Sequence, residues 1–363
     1  MNVKKLAFDA IEIIIKNFEY TNEIIHDFLN KYELSTTEKA LFINLVKGTI
    51  KHRISLEFYL KPYIHKKLKP WVIILLMMAF YEIIYLKNKA AADDIVDIAR
   101  LKDHKTVNFV KGVLKKISKN NPRSFFGLNE IKKLSVKYSY PQWLVAYLLK
   151  DYQYDEVEKI FSAFDNSNLN EFNLNKEITK SIMLKDGSNV LYLNTSPGNL
   201  LLDLAENTND VVFYACEGNH SKYKALRNKF KKANLDNVHL QLVDPLKIKA
   251  VVKPNSFDYL IINMPSSGLG VLGENIDLKY HLSLKSIKHI ITMQNKILES
   301  TYQLVKKGGF YIIFTKTLNK EENQELIRNF VEKYPEYEII NERTILPFEF
   351  ITDGVYIGKM RRN

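Results

Sequence analysis

From about Asp186 onward, short β-type runs alternate with helical ones, and this constrains the fold more than any other feature of the chain. The runs read NVLYLN, LLLDLAE, VVFYAC, SKYKALRNKFKKANL, VHLQLV, FDYLIIN and, further on, FYIIFT. Alternation of this kind means βαβ units and a mostly parallel sheet with helices on both faces. Such sheets take ligands at the carboxyl ends of their strands. The loops after NVLYL, VVFYA, LQLV and YLII are therefore where a cofactor is expected.

The first ~120 residues differ: apolar positions recur at helical spacing with no period-2 segment, which predicts five or more helices. Ser35 followed by Glu38 has the spacing of a capping box and marks one helix start. The apolar run Trp71 to Leu86 is shorter than the ~20 residues a bilayer span requires and carries Glu82, so it reads as a buried core helix. Asn120, Asn121 and Pro122 punctuate the chain ahead of a further helical stretch from Pro141 to Phe164. The expected organisation is an all-α domain over 1–122, a helical connector over 123–175 and a Rossmann-like α/β domain over 176–363.

Charge is unevenly spread. Residues 1–140 hold 25 Lys+Arg against 14 Asp+Glu, a net +11 out of +12 for the whole chain, which makes the first half the candidate nucleic-acid surface. Lys47, Lys51, Arg53, Lys66, Lys67 and Lys69 are its candidate phosphate contacts. A lysine-rich composition with solvated faces would give the same total. A single cysteine, Cys216, excludes an internal disulfide and a zinc site of several thiolates, so no metal is expected. The opening residues continue as an amphipathic helix and show no secretory pattern, which predicts a cytoplasmic protein without a membrane role.

The loops and flanking runs together resemble the family that makes 5-methylcytosine in bacterial 16S rRNA, an S-adenosylmethionine-dependent methyltransferase domain fused to a NusB-like helical domain. LVKGTIKHRISLEFYL, KLKPWVIILLMMAFYEIIYL and VNFVKGVLKKI are similar to the NusB-like part, and PQWLVAYLLKDYQYDEVEKIFSAFDN is similar to the connector. NVLYLNTSPGN stands where the family reads Asp-Leu-Cys-Ala-Ala-Pro-Gly-Gly-Lys. Pro197 and Gly198 match that turn, while Tyr192, Asn199 and Leu200 depart from it. The resemblance implies cofactor contacts at Asn194, Thr195, Ser196, Pro197 and Gly198. It implies ribose recognition by Glu217, adenine recognition by Asp244, and further contacts at Asn263 and Pro265.

INMPSSGLGV resembles the family's Asp-Ala-Pro-Cys-Ser-Gly-Leu-Gly-Val. IDLKY, FYIIFTKTLNKEEN and ITDGVYIGKMRR resemble its later segments, with Glu321, Glu322 and Asn323 fixing the register. In that register the family's two cysteines are Ser266 and Lys316, and its Asp is Asn263. Carbon 5 of cytosine is a poor nucleophile until a thiolate has added to carbon 6, and a neighbouring acid must protonate the ring as the adduct forms. None of those three groups is present. The implied reading is a catalytically silent relative that binds small-subunit ribosomal RNA. The alternatives are an enzyme methylating another atom through other residues, and a NusB-like protein that recruits RNA, ribosome-assembly or transcription factors.

Overall fold

The computed structural model describes residues 2–65, 67–88, 92–119, 122–165, 174–350 and 352–363. The chain divides into two compact units: residues 1–161 with Glu274–His281, and residues 162–273 with 282–363.

The first unit is helical, with seven α-helices among the described residues up to Ile117: α1 (Val3–Asn17), α2 (Thr21–Lys31), α3 (Thr36–Lys51), α4 (Arg53–Leu60), α5 (Pro70–Ile84), α6 (Ala92–Lys102) and α7 (Val107–Ile117). The capping box at the start of α3 is formed: Glu38 N–H donates to the Ser35 hydroxyl, and the Ser35 N–H donates to the Glu38 carboxylate. Helix α5 is the apolar run, buried over most of its length from Val72 to Ile83. No described helix is long and apolar enough to cross a membrane. Three further helices, α8 (Glu130–Tyr138), α9 (Gln142–Leu148) and α10 (Tyr154–Asp165), follow within the span expected as a connector.

One cost of this core is electrostatic. Glu82 of α5 is fully buried and bonds the Lys4 ammonium at 2.8 Å and the Asn88 amide at 2.8 Å. Burial pulls Lys4 down, but its hydrogen bonds to Glu82 and Asp94 outweigh that, and its pKa is raised. Removing one partner of a buried pair leaves an uncompensated charge, which costs about 3–5 kcal/mol when both groups are inaccessible. Lys4→Ala is expected to destabilise this unit by about 3 kcal/mol in urea titration, and Lys4→Ala with Glu82→Leu by less.

The segment Glu274–His281 carries α14 (Leu278–His281) and belongs to this helical unit although the sequence around it belongs to the other. Its Asp277 carboxylate accepts from Thr21 N–H at 2.5 Å. Lys279, buried, donates to the Lys51 carbonyl at 2.8 Å, and the Tyr280 hydroxyl donates to the Ile50 carbonyl at 3.1 Å.

The second unit is a seven-stranded sheet in the order β3-β2-β1-β4-β5-β7-β6. The strands are β1 (Asn189–Leu193), β2 (Val212–Glu217), β3 (Val238–Leu242), β4 (Phe257–Asn263), β5 (Val305–Thr315), β6 (Tyr337–Ile345) and β7 (Val355–Arg362). The first five run parallel and β7 enters antiparallel between β5 and β6. Alternate strand residues serve two cores. Val190, Tyr192, Phe213, Tyr259 and Ile261 pack with α11 (Leu174–Ile182), α12 (Asn199–Glu206) and α13 (His220–Lys232). Leu191, Leu193, Leu260 and Ile262 pack with α15 (Leu284–Thr301) and α16 (Gln324–Lys333). A helix α17 (Pro347–Phe350) precedes β7. The order turns back on itself at β1 and β4, so their carboxyl ends form the crevice where this fold accepts ligands.

Candidate active site

Two loop systems meet at that crevice. The first follows β1. Asn194 takes a left-handed backbone (φ 53°), the Ser196–Pro197 peptide is cis, and Gly198 caps α12 with φ 85°. A Cβ on Gly198 would lie 2.6 Å from the Leu226 Cδ2, so glycine is required there by both backbone and space. The single proton of the Thr195 hydroxyl is shared between the carbonyls of Cys216 at 3.1 Å and Tyr192 at 3.2 Å, tying the turn to β2. Glu217, at the end of β2 and 5% exposed, accepts from Asn219 N–H at 3.0 Å and from Ser196 N–H at 3.3 Å. Asp244 begins the short helical turn Pro245–Ala250, accepts from Leu246 N–H at 2.9 Å and is exposed. Two amides bridge β1 and β4: the Asn194 side chain donates to the Asn263 carbonyl at 3.2 Å, and the Asn263 side chain donates to the Ser196 carbonyl at 3.3 Å. The structure thus gathers Asn194, Thr195, Ser196, Pro197, Gly198, Glu217 and Asn263 at one end of the sheet. Tyr192 and Leu200, which depart from the family's turn, are both buried in the core that α12 and α13 share.

The second system joins the loops after β4 and β5. Glu322, fully buried, accepts from Ser267 N–H at 2.7 Å, the Ser267 hydroxyl at 2.5 Å, Asn319 Nδ2 at 3.1 Å and Gln294 Nε2 at 3.3 Å. Gln294 also donates to the Pro265 carbonyl at 2.7 Å, and Asn323 donates to the Thr317 carbonyl at 2.9 Å. The backbone closes the arrangement: Gly270 N–H donates to the Lys316 carbonyl at 3.0 Å and Gly354 N–H to the Gly270 carbonyl at 2.7 Å. Any side chain at Gly270 would collide with Gly354, its Cβ falling 2.0 Å from that carbonyl oxygen. Ser266 and Lys316 therefore stand on adjoining, rigidly braced loops. Sequence reasoning used Glu322 as a register mark and missed it as the side chain that holds both loops.

What these loops present is chemically mild. Ser266 is half-buried and has no histidine near it in sequence. His289 is exposed on α15, and His281 belongs to the helical unit, where its ring stacks on Tyr20 at 4.3 Å. The Lys316 ammonium is exposed and faces Asp353 at 3.4 Å, so it is not a desolvated amine. Cys216 is 2% exposed and burial pushes its thiol up to about 12, which leaves almost no thiolate at neutral pH.

In the helical unit, Lys47, Lys51 and Arg53 are half-buried, while Lys67 and Lys69 are exposed. Lys66 lies outside the described residues. Arg53 pairs with Glu57 at 3.0 Å and Lys69 with Asp103 at 2.7 Å, so two of the expected phosphate contacts already hold a carboxylate. Among the described residues a different cluster of cations stands on α13, which the near-neutral total after residue 140 concealed.

The family model described as 16S rRNA methyltransferase RsmB/F matches residues 180–360, and that of the NusB family matches residues 1–119. A curated relative, probable ribosomal RNA small subunit methyltransferase B of Bacillus subtilis (strain 168), is 27% identical over 443 aligned positions covering 99% of either chain. Ribosomal RNA small subunit methyltransferase F of Aliivibrio fischeri (strain ATCC 700601 / ES114) is 26% identical over 202 positions, 50% of this chain and 42% of that relative. Among solved structures, PH0851 shares the fold, with a TM-score of 0.74 at 18% identity over 100% of this chain and 99% of that one. The seven-stranded, mostly parallel sheet of this chain, following a helical unit in sequence, agrees with the two matched models and with the fold expected from sequence. The chain belongs to the 16S rRNA methyltransferase RsmB/F family, as a member with a NusB-family domain ahead of its methyltransferase domain.

Proposed function

We propose that this chain is an rRNA-binding member of its family that holds S-adenosylmethionine but does not methylate cytosine carbon 5. One observation carries the reading. The braced loops that should bring two thiols to the substrate bring Ser266 and Lys316 instead, and the sole cysteine of the chain is buried in the sheet. A hydroxyl or an exposed ammonium gives no appreciable nucleophile at neutral pH without an adjacent base. The Asn263 carboxamide does not ionise, so it cannot act as the acid toward a cytosine ring, and its N–H donates to the Ser196 carbonyl.

The residues at the first loop system fit the cofactor. Glu217 is held by two backbone N–H groups with lone pairs remaining for a diol, and Gly198 keeps the turn free of a side chain. When bound, the cofactor supplies an electrophilic methyl group. Asn194, Thr195 and Ser196 shape the turn, and Asn263 links it to the end of β4. Glu217→Ala is expected to weaken S-adenosylmethionine binding about 10- to 100-fold in isothermal calorimetry, the loss of two charge-assisted hydrogen bonds. Unchanged affinity would place the cofactor elsewhere.

A second reading, methyl transfer to another atom, is favoured by the same turn, which keeps Pro197 and Gly198. Incubating the chain with labelled S-adenosylmethionine and unmodified small-subunit rRNA separates the two. Absence of label with retained RNA binding supports the first. Label on an exocyclic amine replaces it with the second, and label on cytosine carbon 5 overturns both.

A further inference from the structure

Helix α13 concentrates charge more than its unit's composition suggests. It carries Lys222, Lys224, Arg227, Lys229, Lys231 and Lys232 and no carboxylate. The remainder of the same unit has 19 Lys+Arg against 21 Asp+Glu, so all of that unit's net positive charge stands on this one helix. A lysine-rich composition alone would have spread it.

These cations are also open to an outside partner. Lys222, Lys224, Arg227, Lys231 and Lys232 are exposed, and none makes an ion pair among the described residues. Lys224, Arg227 and Lys231 are three and four residues apart, so they share one stripe with heads about 4.5–6 Å apart along the axis. Like charges at those spacings destabilise a helix on their own account. The buried side of α13, Leu226 and Phe230, gives no reason for them.

Beside the stripe lies a groove of about 330 Å³ lined by Arg227, Lys231, Asn234, Phe230, Val238 and Leu240, with Asp236 its one acid. It runs between α13 and β3, the edge strand of the sheet. Cations in a row beside a partly apolar groove match a single nucleic-acid strand, whose phosphates take the charges while an unpaired base leaves water. A duplex offers no free base to such a groove.

We propose that α13 and this groove form a single-stranded RNA contact surface of the methyltransferase unit, separate from the basic residues of the helical unit. The proposal rests on the reading that the chain binds RNA. Lys229 is excluded from it because its ammonium is bonded to the Pro197 carbonyl at 3.0 Å.

The test uses the full chain, an unstructured RNA oligonucleotide of about 20 nucleotides and a duplex of the same length, with affinity measured across a salt series. The expected result is that K224E/R227E/K231E lowers single-strand affinity at least tenfold at 0.1 M salt and flattens the log–log salt slope by about 2. K224Q/R227Q/K231Q should fall between it and wild type. All three positions are exposed, so thermal melts should coincide, and a variant that melts early is replaced by the neutral one. Wild-type binding with an unaffected triple variant overturns this proposal and leaves RNA binding intact. No wild-type binding to either RNA overturns the underlying reading and this one with it. Equal losses on single strand and duplex overturn the single-strand assignment.

Discussion

Glu322→Ala is expected to lower the stability of the methyltransferase unit by about 3–4 kcal/mol. The side chain is fully buried and accepts from Ser267, Asn319 and Gln294. Truncation strands at least the Ser267 N–H and one Asn319 amide hydrogen in a dry interior, each at about 1–3 kcal/mol. The loss should appear as a lower urea midpoint with an unchanged slope. A smaller loss, under about 1 kcal/mol, would mean that the loops relax or admit water. Glu322→Gln tests the electrostatic part. Burial holds the Glu322 carboxyl above the ordinary glutamate range, and the hydrogen bonds from Ser267, Asn319 and Thr317 act against that without reversing it. A carboxyl that binds its proton more tightly when folded stabilises the fold below its unfolded pKa, and that contribution is lost as pH rises through the window up to the folded value. Thermal melts should therefore show the wild type losing ground relative to Glu322→Gln from about pH 4 upward. A constant difference between the two from pH 4 to pH 7 would refute the assignment.

The second large effect is a gain. Lys316→Cys combined with Asn263→Asp should allow, with S-adenosylmethionine present as methyl donor to carbon 5, a covalent adduct between the thiol and carbon 6 of a cytosine-containing RNA, seen as a mass shift in denatured protein and absent in the wild type. Position 316 follows β5 and is exposed, so a thiol there would meet solvent and ionise far more readily than Cys216. The loops after β4 and β5 need no rebuilding, because the bonds joining Gly270, Lys316 and Gly354 are all between backbone atoms and survive the change, while Asn263→Asp gives up only the bond to the Ser196 carbonyl when ionised. Adding Ser266→Cys should then permit release and turnover. If the double variant forms no adduct while still binding RNA, restoring these two groups is not sufficient for the addition step.

Much of the methyltransferase unit was legible before any coordinates, for a physical reason. Strands β1, β2 and β4 are covered on both faces, so they read as dense β-branched and aromatic runs such as VVFYAC and FDYLIIN. Strand β6 was not legible. It is an edge strand whose residues between Glu338 and Thr344 are half-buried or exposed, and YEIINERTI accordingly carries Glu, Asn and Arg where a central strand would carry Val or Ile. At the site, Pro197, Gly198, Glu217 and Asn263 were singled out by the family resemblance, which the loops after β1, β2 and β4 carry in chain order. Glu322 could not be understood that way, because its partners Ser267 and Gln294 lie 55 and 28 residues away. The charge of α13 was hidden by averaging over a long stretch in which acids elsewhere cancel it.

The eight residues from Glu274 to His281 make the helical unit discontinuous in sequence. Chains are synthesised from the N-terminus, and domains fold as they emerge. Here the acceptor that Asp277 offers to Thr21, and the donor that Lys279 offers to Lys51, leave the ribosome long after the helices they complete. The first helices emerge without these two contacts while β1 to β4 are translated. A fragment ending at residue 122 would lack the Asp277 acceptor at the N-terminus of α2 and the Lys279 donor at the end of α3.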